Sequence, residues 1–376
     1  MDKNEKVLRA EYFFLVYCFT LRFVEVLNFT DTTAKNDAWL VIIAGAAIAV
    51  PFIVIFTSLA KRFPSKTLLE IYPLVLGKVP GTIILILYTA YFHVISSHFL
   101  DDLAEFFSIY VQPDTPLIFF IIVFTLSCAI VLRMGIEYLV KTCFIIALSG
   151  SITALATSLM LLREMDFSNF LPILRQEPRV YLESVSQFAF VPGVHVLILF
   201  MLNPKFHSKR GITKLTVIGF GLGVLSLLTI SIRNTAVLGS VATVVNSPSY
   251  YTLRLIDIGE LFTRVDFAAS INITILTFLA TSIVYYSAVQ GLNLLFKPKN
   301  KNFFIIPSGI IIDILSVFLF DSSMEHLEFA KNYNVPVYGC FYFVFPPLAL
   351  IVAKLRRIKE ADAELTFQSA TKKTSQ

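Results

Sequence analysis

Two stretches set the architecture: Cys18-Phe19-Thr20-Leu21-Arg22-Phe23-Val24-Glu25-Val26, and Phe188-Ala189-Phe190-Val191-Pro192-Gly193-Val194-His195-Val196. Each lies inside a long apolar run, and each holds something a plain membrane-spanning helix does not. In the first, Arg22 and Glu25 stand three residues apart and share a helix face. Charges inside hydrocarbon are costly and persist when paired or when they line a polar cavity. Two readings stay open for this pair: a ligand-site or proton-relay pair, or a structural ion pair that fixes helix packing. In the second stretch, Pro192 removes a backbone donor and crowds the preceding turn. Gly193 follows it and opens conformations closed to other residues. The expectation is a helix unwound near its midpoint, with a simple proline kink as the plain alternative. Irregular backbone at membrane depth is tolerated only where it is buried in protein or lines a cavity.

Working outward, hydropathy marks ten segments. They are residues 12–33, 38–60, 80–97 (continuing amphipathically through Glu105), 116–132, 142–162, 184–204, 213–232, 267–296, 303–320 and 335–353. The ninth is short and carries Asp313. The two disrupted stretches fall in segments one and six, the first members of two sets of five. A repeat with an odd number of crossings inserts its second copy upside down, and broken helices at matching positions of such repeats mark a midplane binding site. The fold expected is an all-α integral membrane protein of about ten transmembrane helices, a five-plus-five inverted repeat with helices one and six broken. It occupies residues 1–358, and 359–376 form a polar, disordered cytoplasmic tail.

Composition agrees. Hydrophobic residues make up 56% of the 376, charged residues 15%, and mean hydropathy is +0.75. A soluble domain carries about 25% charged residues, so the lipid bilayer is the natural solvent. With an even number of crossings both termini share a side. That side, from Lys3, Lys6 and Arg9 to the tail beyond Lys354, collects 22 lysines and arginines, against 8 on the other. The positive-inside rule makes it cytoplasmic. The same bias accounts for the net charge of +5 without a nucleic-acid partner. Arg22 and Glu25 also interrupt the apolar stretch after the basic start, which therefore does not read as a signal-peptide core.

Other polar residues in the spans are candidates. His93 and Ser97 share a face of segment three; a membrane histidine also packs between helices in a purely structural role. Asn272, Thr274 and Thr277 lie in segment eight, where such side chains hydrogen-bond between helices. Asp101, Asp102 and Glu105 read as a solvated helix end. The four cysteines read as small buried hydrophobes. The sequence holds no phosphate-binding glycine loop, GxSxG elbow or HExxH pair. No catalytic residue, metal or cofactor is therefore expected.

The residues resemble a known family. Lys35-Asn36-Asp37-Ala38-Trp39, Ala90-Tyr91-Phe92, Ala104-Glu105, Phe190-Val191-Pro192-Gly193-Val194-His195-Val196 and Glu260-Leu261-Phe262-Thr263-Arg264-Val265-Asp266 are similar, in order and spacing, to stretches of the endospore germination permeases, the B subunits of spore germination receptors. The likeness covers nearly the whole chain. It implies the fold of the amino-acid/polyamine/organocation transporters and a place in the spore inner membrane. It also implies assembly with A and C receptor subunits and a small-molecule germinant, often an amino acid, in a pocket of helices one, three, six and eight. Carried over, that pocket involves Phe23, Glu25, Ser97, Phe190, Gly193, His195 and Asn272; the residues themselves add Arg22, His93 and Pro192. Two departures stand out. Glycines are usual where this chain has Leu21-Arg22-Phe23-Val24-Glu25, and an acidic residue is often found where His195 stands. Either change reshapes or re-charges the pocket. A germinant sensor is the leading expectation. The alternative is a transporter moving amino acids by alternating access, proton-coupled through Glu25, His93 or His195. A third reading is an ion-conducting component.

Overall fold

The computed structural model describes residues 7–25, 33–206, 211–245, 247–256, 265–320, 325, 328–329 and 332–358; the side chains of 25, 192–194, 265, 266 and 268 are not described. The expected tail, 359–376, and most of the resembling stretch at 260–266 lie outside the described residues. The described chain is helical, with one isolated bridge between Val7 and Phe206.

Ten principal helices follow the ten apolar segments: α1 (Arg9–Leu21), α2 (Ala38–Arg62), α3 (Lys78–Phe106), α4 (Leu117–Met134), α5 (Cys143–Met160), α6 (Pro178–His195), α7 (Ile212–Leu238), α8 (Val265–Phe296), α9 (Ile305–Phe318) and α10 (Phe345–Leu355). Eight of these, with the helical turns that extend them, are long and apolar enough to cross a membrane among the described residues. The others are α1 and α9. At 14 residues α9 is about 21 Å long, short of a hydrocarbon core of about 30 Å.

The packing carries the repeat. α1 packs on α7 and α2 on α6; α3 packs on α9 and α8 on α4; α3 lies along α8, α2 along α7, and α4 along α9. Exchanging each helix for the one five places away turns the first pair of contacts into the second, the third into the fourth, and leaves the last three unchanged. That is the contact pattern of a five-plus-five repeat. Small residues serve the two equivalent crossings. A Cβ on Gly45 of α2 would stand 2.9 Å from Phe188 Cβ of α6, and one on Gly223 of α7 would stand 2.6 Å from Thr20 Cβ of α1. Close helix approach in membranes relies on such positions.

Connections gather at two ends. At the end rich in lysine and arginine, the Val7 amide donates to the Lys205 carbonyl (2.9 Å) and Arg62 donates to the carbonyls of Ile358 (2.6 Å) and Ala353 (2.8 Å). Lys205 pairs there with Glu137. At the opposite end Asp37 is buried, and its Oδ2 accepts from the Leu174 amide (2.9 Å) and the Tyr181 hydroxyl. The Asp37 found in the Lys35–Trp39 motif is thus a clasp between the start of α2 and the chain leading into α6. The short helix Leu68–Leu76 opens on a capping box, Thr67 with Glu70, which satisfies two amides left open at a helix start.

Candidate ligand site

Helix α1 ends at Leu21, and the chain tightens to a 3-10 turn over Arg22–Glu25, where Phe23 departs from helical dihedrals (φ −73°, ψ 20°). Helix α6 runs to His195 and then continues as a 3-10 helix over Val196–Lys205. Both expected breaks appear as changes of winding. At the second the backbone stays helical through Pro192-Gly193 instead of unwinding there, and the change comes after the pair. Proline's fixed φ is itself helical, so it removes a donor without forcing the backbone out of the helix. The change of winding follows His195, whose ring Nδ1 hydrogen-bonds the Val191 carbonyl one turn back. Runs of 3-10 helix longer than three or four residues are uncommon and often mark a hinge.

The two changes of winding meet around His195. Its ring centroid lies 5.0 Å from that of Phe23 (α1 side), 5.7 Å from Phe99 (α3), 6.4 Å from Phe190 (α6) and 5.9 Å from Tyr342. Tyr342 belongs to a π-helical turn, Cys340–Val344, that precedes α10; π-turns inside helices are frequent at functional sites. Its hydroxyl shares a 2.7 Å hydrogen bond with Tyr91 of α3. All five rings are buried. Among the described residues the buried Nε2 atom of His195 has no hydrogen-bond partner.

Over this cluster lies Arg22, 3% exposed, its guanidinium 3.9 Å from the Phe99 ring centroid and 5.3 Å from that of Phe23. Its Nη2 donates to Asp102 Oδ2 at 2.7 Å. The expected intrahelical partner, Glu25, has no described side chain; the described partner is Asp102, from the acidic end of α3 that read as solvated. At 27% exposure Asp102 is half-buried. A guanidinium turned inward pairs with a carboxylate, because charges removed from water must compensate one another.

The remaining candidates separate. His93 faces α9: its Nδ1 contacts the Thr89 carbonyl (2.7 Å) and its Nε2 the Ser308 hydroxyl (3.2 Å). Ser97 donates to the Val94 carbonyl, and its own carbonyl accepts from Ser316 of α9. Asn272 faces α5, accepting from Ser149 (2.7 Å) and donating to Thr153 (2.9 Å). It borders a second space of about 60 Å³ between α1, α5, α7 and α8, walled by Leu21, Val24, Ala154, Leu276 and Arg233 among others. The side chains of Glu25, Pro192 and Gly193 lie outside the description. Arg22, Phe23, Phe190 and His195 are therefore brought together; His93, Ser97 and Asn272 are not. Sequence reasoning missed Phe99, Asp102 and Tyr342. Phe99 and Asp102 stand three apart on one face of α3, and a lone arginine deep in a span calls for an acid on a neighbouring helix. Tyr342 gives no such signal.

The family profile described as "Spore germination protein" matches residues 6–324. The chain belongs to the spore germination protein family. This germination protein is 29% identical to spore germination protein KB of Bacillus subtilis (strain 168) over 343 residues, covering 88% of this chain and 91% of that one. It is 24% identical to B. subtilis spore germination protein YndE over 346 residues, covering 87% and 90%. Among solved structures it is similar to a substrate-bound, outward-open Na+-coupled sialic acid symporter, with a TM-score of 0.62, 12% identity, and coverage of 96% and 93%. That likeness establishes the fold, a LeuT-like transporter architecture, and matches the repeat read from the helix contacts. The chain is thus a multi-pass germination protein with the scaffold of a permease.

Proposed function

We propose that this chain senses a small-molecule germinant, with an amino acid as the first class to test, as the B-type subunit of a germination receptor. It would sit in the spore inner membrane with both termini cytoplasmic, beside A and C subunits. The observation that carries this is the convergence of the two changes of winding on His195, whose Nε2 is a buried polar atom with no hydrogen-bond partner among the described residues. Native interiors satisfy nearly all such atoms. A ligand that bonds Nε2 must part the rings of Phe23, Phe99, Phe190 and Tyr342. That movement would be felt at once by α1, α3, α6 and the turn before α10. Ligand binding then biases a conformational equilibrium that partner subunits can read.

The second reading, transport by alternating access, is favoured by the likeness to a symporter fold. Two measurements separate them. Spores lacking this gene should fail to respond to the germinant, while the protein in liposomes should accumulate none of the labelled compound. Uptake into liposomes would establish the transporter instead. Normal germination of the deletion strain toward every nutrient would remove the sensing role.

A further inference from the structure

Resting on the sensing reading above, the geometry points to His195 Nε2 as a hydrogen-bond acceptor for an O–H or N–H donor carried by the ligand. The tautomer follows from one contact. Nδ1 is hydrogen-bonded to the Val191 carbonyl, and a carbonyl oxygen only accepts, so Nδ1 holds the proton. A neutral imidazole has one proton, which leaves Nε2 as a bare lone pair. The ring is 2% exposed, and among the described residues no group bonds that lone pair. Four of the neighbours that surround it are aromatic rings. Of these, Tyr342 alone bears a hydroxyl, which is engaged with Tyr91. A ligand carboxylate placed there would set lone pair against lone pair; a donor would complete the site.

Two kinds of compound carry such a donor, a hydroxylated neutral molecule and an ammonium. Arg22 already places a cation over the faces of Phe99 and Phe23. An ammonium therefore meets like charge unless the same ligand also brings a carboxylate to the guanidinium. A neutral hydroxyl meets no such opposition.

The test uses the full-length protein in detergent micelles, labelled with 15N at histidine, with H195F to assign the His195 signals. Probes are myo-inositol and L-alanine, each paired with a counterpart whose donors are methylated, and thermal stabilisation is read in parallel. Expected is an Nδ1-protonated ring with bare Nε2 before any addition. One donor-bearing probe should then move Nε2 to its hydrogen-bonded position while its methylated counterpart does not, and that probe should bind H195F about tenfold more weakly. A response to inositol assigns the hydroxyl, a response to alanine the ammonium. The inference is overturned by a ring protonated at Nε2 before addition, or by a probe that stabilises the protein and leaves Nε2 unmoved; in that last case binding, and so the sensing reading, survives. If neither probe moves Nε2 or stabilises the protein, the inference is overturned for both classes. Joined to a deletion strain that germinates normally toward every nutrient, that result removes the sensing reading as well.

Discussion

The cage around His195 and the space beside Asn272 are built on two faces of the turn where α1 ends, Leu21–Val24, and they are opposites. Arg22 and Phe23 point to the cage; Leu21 and Val24 point to the space. In the cage, rings fill the volume and His195 Nε2 has no partner among the described residues. Beside Asn272 about 60 Å³ is open, while the Asn272 side-chain amide is bonded to Ser149 and Thr153. Free volume alone would direct attention to the second. Chemistry directs it to the first, because an unsatisfied buried polar atom costs free energy that a ligand can recover. The polar groups on the wall of the second, Asn272 and Arg233, bond protein partners, and the remaining gap is a packing loss that a methyl group can fill.

The comparison breaks most easily at Arg22. Removing one partner of a buried ion pair strands the other charge and costs about 3–5 kcal/mol. Asp102 is half-buried, so Asp102→Ala should fall near the lower end, about 3 kcal/mol, read as a lowered unfolding temperature of the purified protein. Arg22→Met keeps the apolar stem and removes the charge. It should be better tolerated than Asp102→Ala, because it leaves a carboxylate that solvent still reaches. If Arg22→Met proves the more damaging, the guanidinium is held by more than this ion pair and the cage is a structural knot rather than a site.

Next in size is the seam that holds α1 between the two regions. A side chain at Gly223 meets Thr20 at 2.6 Å, while one at Gly221 meets nothing within 4 Å. Overpacking a tight contact costs about 1–3 kcal/mol. Gly223→Leu should therefore lower stability by that amount and Gly221→Leu should leave it within about 0.5 kcal/mol. Equal effects would mean that α1 is not pinned there, and that its two faces are not fixed relative to each other.

Much of this was legible beforehand, for identifiable reasons. Ten apolar runs became ten helices because hydrocarbon leaves a spanning backbone little choice. Phe23, Phe190 and His195 could be named because charge, Pro-Gly and histidine are rare inside spans. Register across helices could not be named. Whether α3 turns His93 or Phe99 toward α6 depends on a rotation set by packing against α8 and α9, and both residues satisfy a plausible helix face. His93 went to Ser308 of α9, and Phe99 to the cage. Asp102 was misread for a related reason: an acid near a helix end is usually solvated, and only the position of Arg22 on another helix overrides that.

Asn272 sharpens the contrast further. Asn272→Leu deletes two interhelical hydrogen bonds, each worth about 0.6 kcal/mol in a membrane protein. It leaves Ser149 and Thr153 to bond their own helix carbonyls, as Ser149 already does with Ile146. The expected loss is about 1 kcal/mol in unfolding free energy, with the germinant concentration giving half-maximal response unchanged. A large shift in that concentration would move the site from His195 to α8.

The smallest effect is the most discriminating. Ala154 of α5 borders the open space, and Ala154→Val places two methyl groups in it. Filling a gap of this kind typically gains about 0.5–1 kcal/mol, so the variant should unfold at a slightly higher temperature. If the space is only a packing gap, spores carrying Ala154→Val should germinate as the parent does. If the space admits the germinant, two methyl groups occupy a useful fraction of about 60 Å³ and the response should weaken although the protein is more stable. Stability and response moving in opposite directions cannot arise from damaged folding. That divergence would place ligand recognition beside Asn272, and the absence of it leaves the lone pair of His195 as the feature that recognition must satisfy.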